Sequence, residues 1–205
     1  MGLDLMGRII EVVTGKAFDV YLKDAIFGPA GMKDTFFQVP KVDAARLATN
    51  YGVLHGIFVA IDEGNKSIFL DPPAAPYGGA GLVSSPRDYD RFLRMLAQFG
   101  MIGGKRVLSE KAVRLGTSNL LPRGVEGPTI MGMSGGFGAG GRIGTGTEAG
   151  IFGWAGAAGT VGMVDMIHGL RSQIFTQFMP ADAVSLLPEF QTALKADVMA
   201  FLEKR

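Results

Sequence analysis

Gly150-Ile-Phe-Gly-Trp-Ala-Gly-Ala-Ala-Gly-Thr160, continued by Val161-Gly-Met-Val-Asp165, is the segment from which the fold is read. The single tryptophan of the chain, Trp154, sits here in a run of glycine and alanine. Small residues let a backbone approach another strand or a ligand closely. A lone aromatic among them gives that surface one flat wall. Apolar residues and glycines alternate upstream, and Val161, Met163 and Val164 follow. The pattern predicts a strand, a tight passage and a returning strand. A glycine-rich hairpin with a merely packed Trp fits the same residues.

The rest of the composition describes an ordinary folded chain. Of 205 residues, 47% are apolar and 19% charged, enough apolar matter for one core and too little charge for disorder. The net charge is +1 with both signs mixed, so nothing suggests a nucleic-acid surface or a polybasic membrane patch. No apolar run reaches membrane-span length, and the first residues lack the basic flank and cleavage site of a signal peptide. There is no cysteine, so disulfides and thiol chemistry are excluded. His55 and His168 lie far apart, without metal-ligand spacing, and no cofactor is expected. Of the 31 glycines, 13 fall between Gly132 and Gly162, so the glycine-rich character is local.

Working outward, Leu3–Thr14 reads as an amphipathic helix. Leu3, Met6, Ile9, Ile10 and Val13 form its apolar stripe, and Gly15 ends it. A second helix is expected from about Ala17 to Ile26, broken by Gly28 and Pro29. Phe36–Val39 reads as a short extended piece. His55–Ile61 and Ser67–Leu70 read as paired strands around a turn at Asp62–Lys66. Ser85, Pro86 and Asp88 make a capped helix start, and Ser109 makes another. Strands are expected over Phe137–Ile143, Ile151–Trp154, Thr160–Asp165 and Ser172–Gln177, with Met179-Pro180 ending the sheet. A last amphipathic helix covers Leu186–Leu202, its buried side carrying Leu187, Phe190, Leu194, Val198, Phe201 and Leu202.

Three stretches carry a family resemblance. The run LMGRIIEVVTGKAFDVYLKDAIFGPAGMKDTFF resembles the serine β-lactamase-like hydrolases, which read L-G-x-I-I-E-x-x-[ST]-G and then I-F-x-P-L-G-M-x-D-T; Ala30 stands where leucine is usual. GGAGLVSSPRDYDRFLRML is similar to a second block of that family. Trp154-Ala155-Gly156 resembles its third motif, K-T-G in β-lactamases and penicillin-binding proteins and often W-x-G in the related carboxylesterases. The resemblance implies an α/β (α+β) fold of the β-lactamase/transpeptidase type, an antiparallel sheet with flanking helices. It implies one domain over 1–205, mainly helical over 1–122, with antiparallel strands and a closing helix over 123–205. It also implies that Trp154, Ala155, Gly156 and Ala157 flank the substrate, with the Ala157 N–H as one arm of an oxyanion hole.

The family's nucleophile is the serine of S-x-x-K, assisted by that lysine and by a tyrosine in a second motif. No serine here has a lysine three residues on; in Ser109-Glu110-Lys111 the spacing is two. Family members carry both motifs ahead of the helix that opens this sequence. The resemblance therefore implies an N-terminally truncated form, the carboxyl-terminal part alone. A different serine motif, Gly132-Met133-Ser134-Gly135-Gly136, matches G-x-S-x-G, but such an elbow needs a strand before it and a helix after it. Asp165 and His168 would be the base pair such a serine needs, though both also read as turn residues. Asp62/Glu63 and Asp88/Asp90 read as solvated pairs, and Gly78-Gly79-Ala80-Gly81 as a close-packing turn, since no G-K-[ST] follows.

Three functions are consistent with these residues. The first is a β-lactamase-like hydrolase lacking its S-x-x-K nucleophile, whose activity the missing group puts in question. The second is a small esterase using Ser134. The third is a non-catalytic module that associates through the first helix, giving a homo-oligomer. The expected substrate is a small ester or β-lactam-like molecule, with neither nucleic acid nor membrane as partner. Trp in place of the K-T-G lysine leans toward esters, because a β-lactam carboxylate profits from that positive charge.

Overall fold

Residues 2–129, 134–182 and 186–203 are described by the computed structural model. Helix α1 spans Gly2–Thr14 and stops at Gly15, whose φ of +68° suits a residue without a Cβ. Its orientation differs from the sequence expectation. Met6, Ile9 and Val13 of the apolar stripe face solvent, and Gly7 is the buried position, against the Phe18 ring. Asp4 accepts a hydrogen bond from the Gly79 N–H (3.0 Å), and Glu11 accepts one from the Phe18 N–H (3.0 Å). Satisfying those two backbone donors turns the polar side of the helix inward.

Helix α2 (Phe18–Leu22) runs on through a π-helical turn at Lys23–Phe27 into a single turn, α3 (Gly28–Ala30). Strands β1 (Asn50–Leu54) and β2 (Ile57–Asp62) are antiparallel. Here the expected pairing is corrected. His55 and Gly56, both at positive φ (50° and 78°), make the two-residue turn, whose twist matches its flanking strands. β2 therefore pairs backwards with β1. Ile68–Leu70 is a 3-10 turn in which the Ser67 hydroxyl accepts from the Phe69 N–H. Of Phe36–Val39, only Phe36 bridges, to Val83.

Helix α4 (Pro86–Ala97) begins as expected, with the Ser85 hydroxyl accepting from the Asp88 N–H (3.2 Å). The Asp88 carboxylate is 3% exposed, not solvated. It takes hydrogen bonds from the Asp34 N–H (2.6 Å) and the Thr35 hydroxyl (3.0 Å), fastening the loop after α3 to α4. A small ribbon, β3 (Met101–Ile102) with β4 (Lys105–Arg106), leads to α5 (Glu110–Gly116), capped by Ser109.

The principal sheet is antiparallel and sequential: β5 (Gly136–Phe137), β6 (Arg142–Ile143), β7 (Ile151–Ala155), β8 (Val161–Asp165) and β9 (Arg171–Ile174). The expected single strand over Phe137–Ile143 is two short ones, because glycines at 138, 140 and 141 fold it into a hairpin. β10 (Phe178–Met179) leaves this sheet and pairs in parallel with β1. α6 (Leu186–Leu202) closes the chain, with Phe190, Leu194, Val198 and Phe201 half-buried, as the sequence places them; Leu202, expected on the same side, is exposed at the helix end, and the Leu187 side chain lies outside the described residues. Among the described residues no helix is long and apolar enough to cross a membrane.

α4 lies across β8 and β9. Phe152 and Val164 are register partners and share the face toward α4. Val164 meets Leu93, Met95 and Leu96 there, joined by Phe27, Ala30, Met32 and Val113. Each of these side chains larger than alanine, removed from water, contributes roughly 2 kcal/mol. At the sheet edge, Arg171 pairs with Asp90 of α4 (2.8 Å) and the Gln173 amide donates to the Pro86 carbonyl (2.7 Å).

Candidate active site

The β7–β8 hairpin is the element that the opening stretch predicts. Trp154 sits opposite Gly162 in the ladder. The missing side chain at Gly162 is where the Tyr89 ring of α4 lies; a Cβ there would run into it. Glycine inside a strand thus serves a close approach. The indole meets Phe137 edge-on, with centroids 5.5 Å apart and planes at 78°.

Beyond Trp154 the tip is pinned from both sides. The Gly156 N–H donates to the Thr160 carbonyl (2.7 Å), and the Gly159 N–H to the Gly156 carbonyl (3.1 Å). The Thr176 hydroxyl reaches the Ala158 and Gly159 carbonyls (3.0 and 2.8 Å). Gly159 is at φ +76°, with no room for a Cβ beside that hydroxyl. Ala157 is exposed, and its N–H makes no hydrogen bond among the described residues. Among the described residues the tip therefore presents the unbonded N–H groups of Ala157 and Ala158 on a fixed frame, the first of them three residues beyond the indole.

Trp154 also lines a cavity of about 370 Å³ between the sheet and the helices. Its walls include Phe152 and Gly162 of the sheet, Tyr89 and Phe92 of α4, Val113 of α5 and Leu3 of α1. Burial pushes the Tyr89 phenol above its ordinary pKa, so it is neutral throughout the physiological range.

Ser134 is elsewhere. It is exposed, does not line this cavity, and its carbonyl accepts two hydrogen bonds from the Arg142 guanidinium (3.2 and 2.7 Å). It leads into strand β5, not a helix; Gly132 and Met133 of its motif, with most of the short segment before them, lie outside the described residues. The His168 ring contacts Asp165 (2.7 Å) in the turn after β8. Partial burial raises the Asp165 carboxyl, but the His168 N–H, the His168 ring and the Ile167 N–H together hold it below its usual value. Gly78 and Gly79 pack against Leu3 and Asp4 of α1. Among the described residues no group of three or more His, Cys, Asp or Glu could hold a metal ion.

Sequence reasoning missed three residues of this neighbourhood. Gly162 interrupts an apolar strand, which is itself a sign of close approach. Tyr89 reads only as one residue of a helix stripe, and Arg142 as a residue of a short strand.

The Beta-lactamase family model matches residues 1–190. Protein Rv1367c of Mycobacterium tuberculosis is 33% identical over 120 residues, which are 55% of this chain and 28% of that protein. Among solved structures, unliganded simvastatin synthase (LovD) from Aspergillus terreus superposes with a TM-score of 0.71 at 22% identity, over 86% of this chain and 49% of that one. EstCE1, described as a hydrolase with promiscuous acyltransferase activity, superposes with a TM-score of 0.72 at 23% identity, over 86% of this chain and 50% of that one. The chain thus spans about half the length of these structures and under a third of that curated relative.

Proposed function

The chain belongs to the β-lactamase family, and on that premise we propose that it forms the sheet wall of a serine acyl-hydrolase site for esters, without holding the family's S-x-x-K pair. The observation that carries this is the β7–β8 tip: an indole on a cavity wall, followed by the exposed Ala157, whose N–H makes no hydrogen bond among the described residues. A donor fixed in advance stabilises the charge that develops on a carbonyl oxygen during acyl transfer. The attacking group comes from outside these residues, since no serine in the sequence has a lysine three positions on. Two solved neighbours, the hydrolase EstCE1 with promiscuous acyltransferase activity and a family VIII carboxylesterase, support the choice of acyl hydrolysis.

The test uses the 205-residue chain with p-nitrophenyl butyrate, a chromogenic cephalosporin and a fluorophosphonate probe. No turnover above buffer and no covalent adduct by intact mass are expected. Turnover that Ser134→Ala abolishes would overturn the reading and make this chain a complete esterase.

A further inference from the structure

We propose that strand β2 is a self-pairing edge, through which two copies of this chain join antiparallel about a twofold axis at Val59. The pairing is independent of the acyl-hydrolase reading and makes one continuous sheet of two three-stranded ones. Among the described residues β2 is a free edge of the sheet ordered β10-β1-β2, and Ile57 to Ile61 are all exposed. An unpaired edge is normally protected by lysine, proline or an inward charge. Ile57-Phe-Val-Ala-Ile61 carries none of these. Asp62, the next residue, is turned back on its own chain, its carboxylate accepting from the Ser67 hydroxyl (2.6 Å) and the Ile68 N–H (3.1 Å). The irregularity of the β1–β2 ladder falls after Ala60, so β2 is regular from Ile57 to Ala60.

The ladder fixes which backbone groups point outward. The Tyr51 N–H is spent on the Gln177 carbonyl (3.0 Å), on the side away from β2. Backbone groups alternate in direction along a strand, so Gly52 and Leu54 face β2 and bond their register partners Val59 and Ile57. Phe58 and Ala60 then turn N–H and C=O to the open edge, where neither makes a hydrogen bond among the described residues. A twofold axis normal to the sheet at Val59 sets Phe58 of one copy opposite Ala60 of the other, and each such pair exchanges both N–H···O=C bonds. Val59 meets Val59 as the closer, non-hydrogen-bonded kind of pair. Ile57 meets Ile61, so apolar residues oppose apolar ones throughout. An axis at Ala60 would set Phe58 against Asp62, and one at Phe58 would set His55 against Ile61. At each end of the favoured pairing, Glu63 of one copy comes to the His55-Gly56 turn of the other, where the imidazole is the group able to take the opposite charge. A strand that complements itself in this way selects a second copy over an unrelated peptide.

The chain has no cysteine, which makes the register testable. Val59→Cys and Ile57→Cys are each oxidised with diamide in the full chain carrying Ile9→Glu, a change on the exposed face of α1 that takes this helix out of any association. Pairing through strand edges buries little area, so the dimer is weak and concentrated protein is used. Across the axis the two Cα atoms at position 59 stand about 4.5 Å apart, within disulfide reach, and those at position 57 roughly 14 Å apart. Disulfide-linked dimer is expected to form at least about tenfold faster from Val59→Cys. Random collision would favour the other thiol, since Ile57 is 66% exposed and Val59 37%. Amide exchange of the Ile9→Glu chain, with β2 unaltered, gives a second readout. Protection at Phe58 and Ala60 is expected to rise at least about tenfold from dilute to concentrated protein. It decides alone if a cysteine variant fails to fold. Crosslinking at Ile57→Cys as fast as at Val59→Cys, or protection at Phe58 and Ala60 that does not change with concentration, would each overturn the proposal.

Discussion

The Arg142 guanidinium is 2% exposed and pairs with the Glu148 carboxylate, which is 26% exposed. The two members of this pair differ in what happens when the other is lost. Removing the carboxylate leaves a permanent charge inside the protein, while removing the cation leaves a carboxylate that water already reaches. Glu148→Ala is therefore expected to cost about 3 kcal/mol or more, and Arg142→Met clearly less. Urea melts of both variants check this; the opposite order would mean that the bonds to the Ser134 carbonyl dominate. Asp165 carries a second residue-scale expectation. Its folded pKa is depressed, so between the folded and unfolded values the unfolded chain binds more protons. The stability it contributes is present above the unfolded value and lost as pH falls through the folded one. Urea midpoints taken between pH 5 and 2 should fall more steeply for the wild type than for Asp165→Asn, the two converging at the acid end. Asp88 marks where a single residue stops being legible. The capping pattern Ser85-Pro86-x-Asp88 announces the helix start, yet the carboxylate is consumed by residues 53 and 54 positions away. No local spacing encodes that.

Elements that close on themselves could be read from the chain; elements defined by what they pack against could not. The β7–β8 hairpin, the Ser85 and Ser109 caps and the stop at Gly15 are all set by short-range chemistry, and they stand where the sequence puts them. The β1–β2 pairing departs from the expected one because two runs, Asp62–Lys66 and His55-Gly56, both carry turn chemistry, and only the second has two residues at positive φ. For α1, periodicity gives the stripe but not the direction it faces. Leu5, Val12 and Val13 are 62%, 70% and 79% exposed, which is an inverted amphipathic helix. A contiguous apolar face of this kind drives association. The chain is expected to associate with itself through α1 as concentration rises, seen as a growing mass by light scattering. Ile9→Glu, on that exposed face, should shift the onset to at least about tenfold higher concentration without lowering the thermal midpoint. A monomer at every concentration would remove α1 as an interface.

On the scale of the whole molecule, the buried residues concentrate in one place. Leu93, Met95 and Val164, between α4 and the sheet, are at most 1% exposed. Outside that layer, β2 presents Ile57, Phe58, Val59 and Ile61 to solvent, and α1 contributes only Gly7 to the buried set. Stability is then unevenly distributed, because local opening costs little where few apolar contacts are lost. Hydrogen exchange in dilute protein should resolve two units. Amides of α4, β7 and β8 are expected to exchange only through global unfolding, with a strong dependence on urea. Amides of α1 and of the β1–β2 hairpin should exchange through local openings that are nearly independent of urea. The family blocks read from the sequence straddle both units, since one begins in α1 and another runs through α4. Sequence resemblance therefore locates the fold without ranking its parts; the ranking comes from which faces are covered. Protection of α1 equal to that of α4, in protein too dilute to associate, would mean that the Asp4 and Glu11 hydrogen bonds, with the packing of Gly7 on Phe18 and of Leu3 on Gly78, anchor the helix as firmly as a fully apolar face would, and the inversion of α1 would then be a stable end state of the fold.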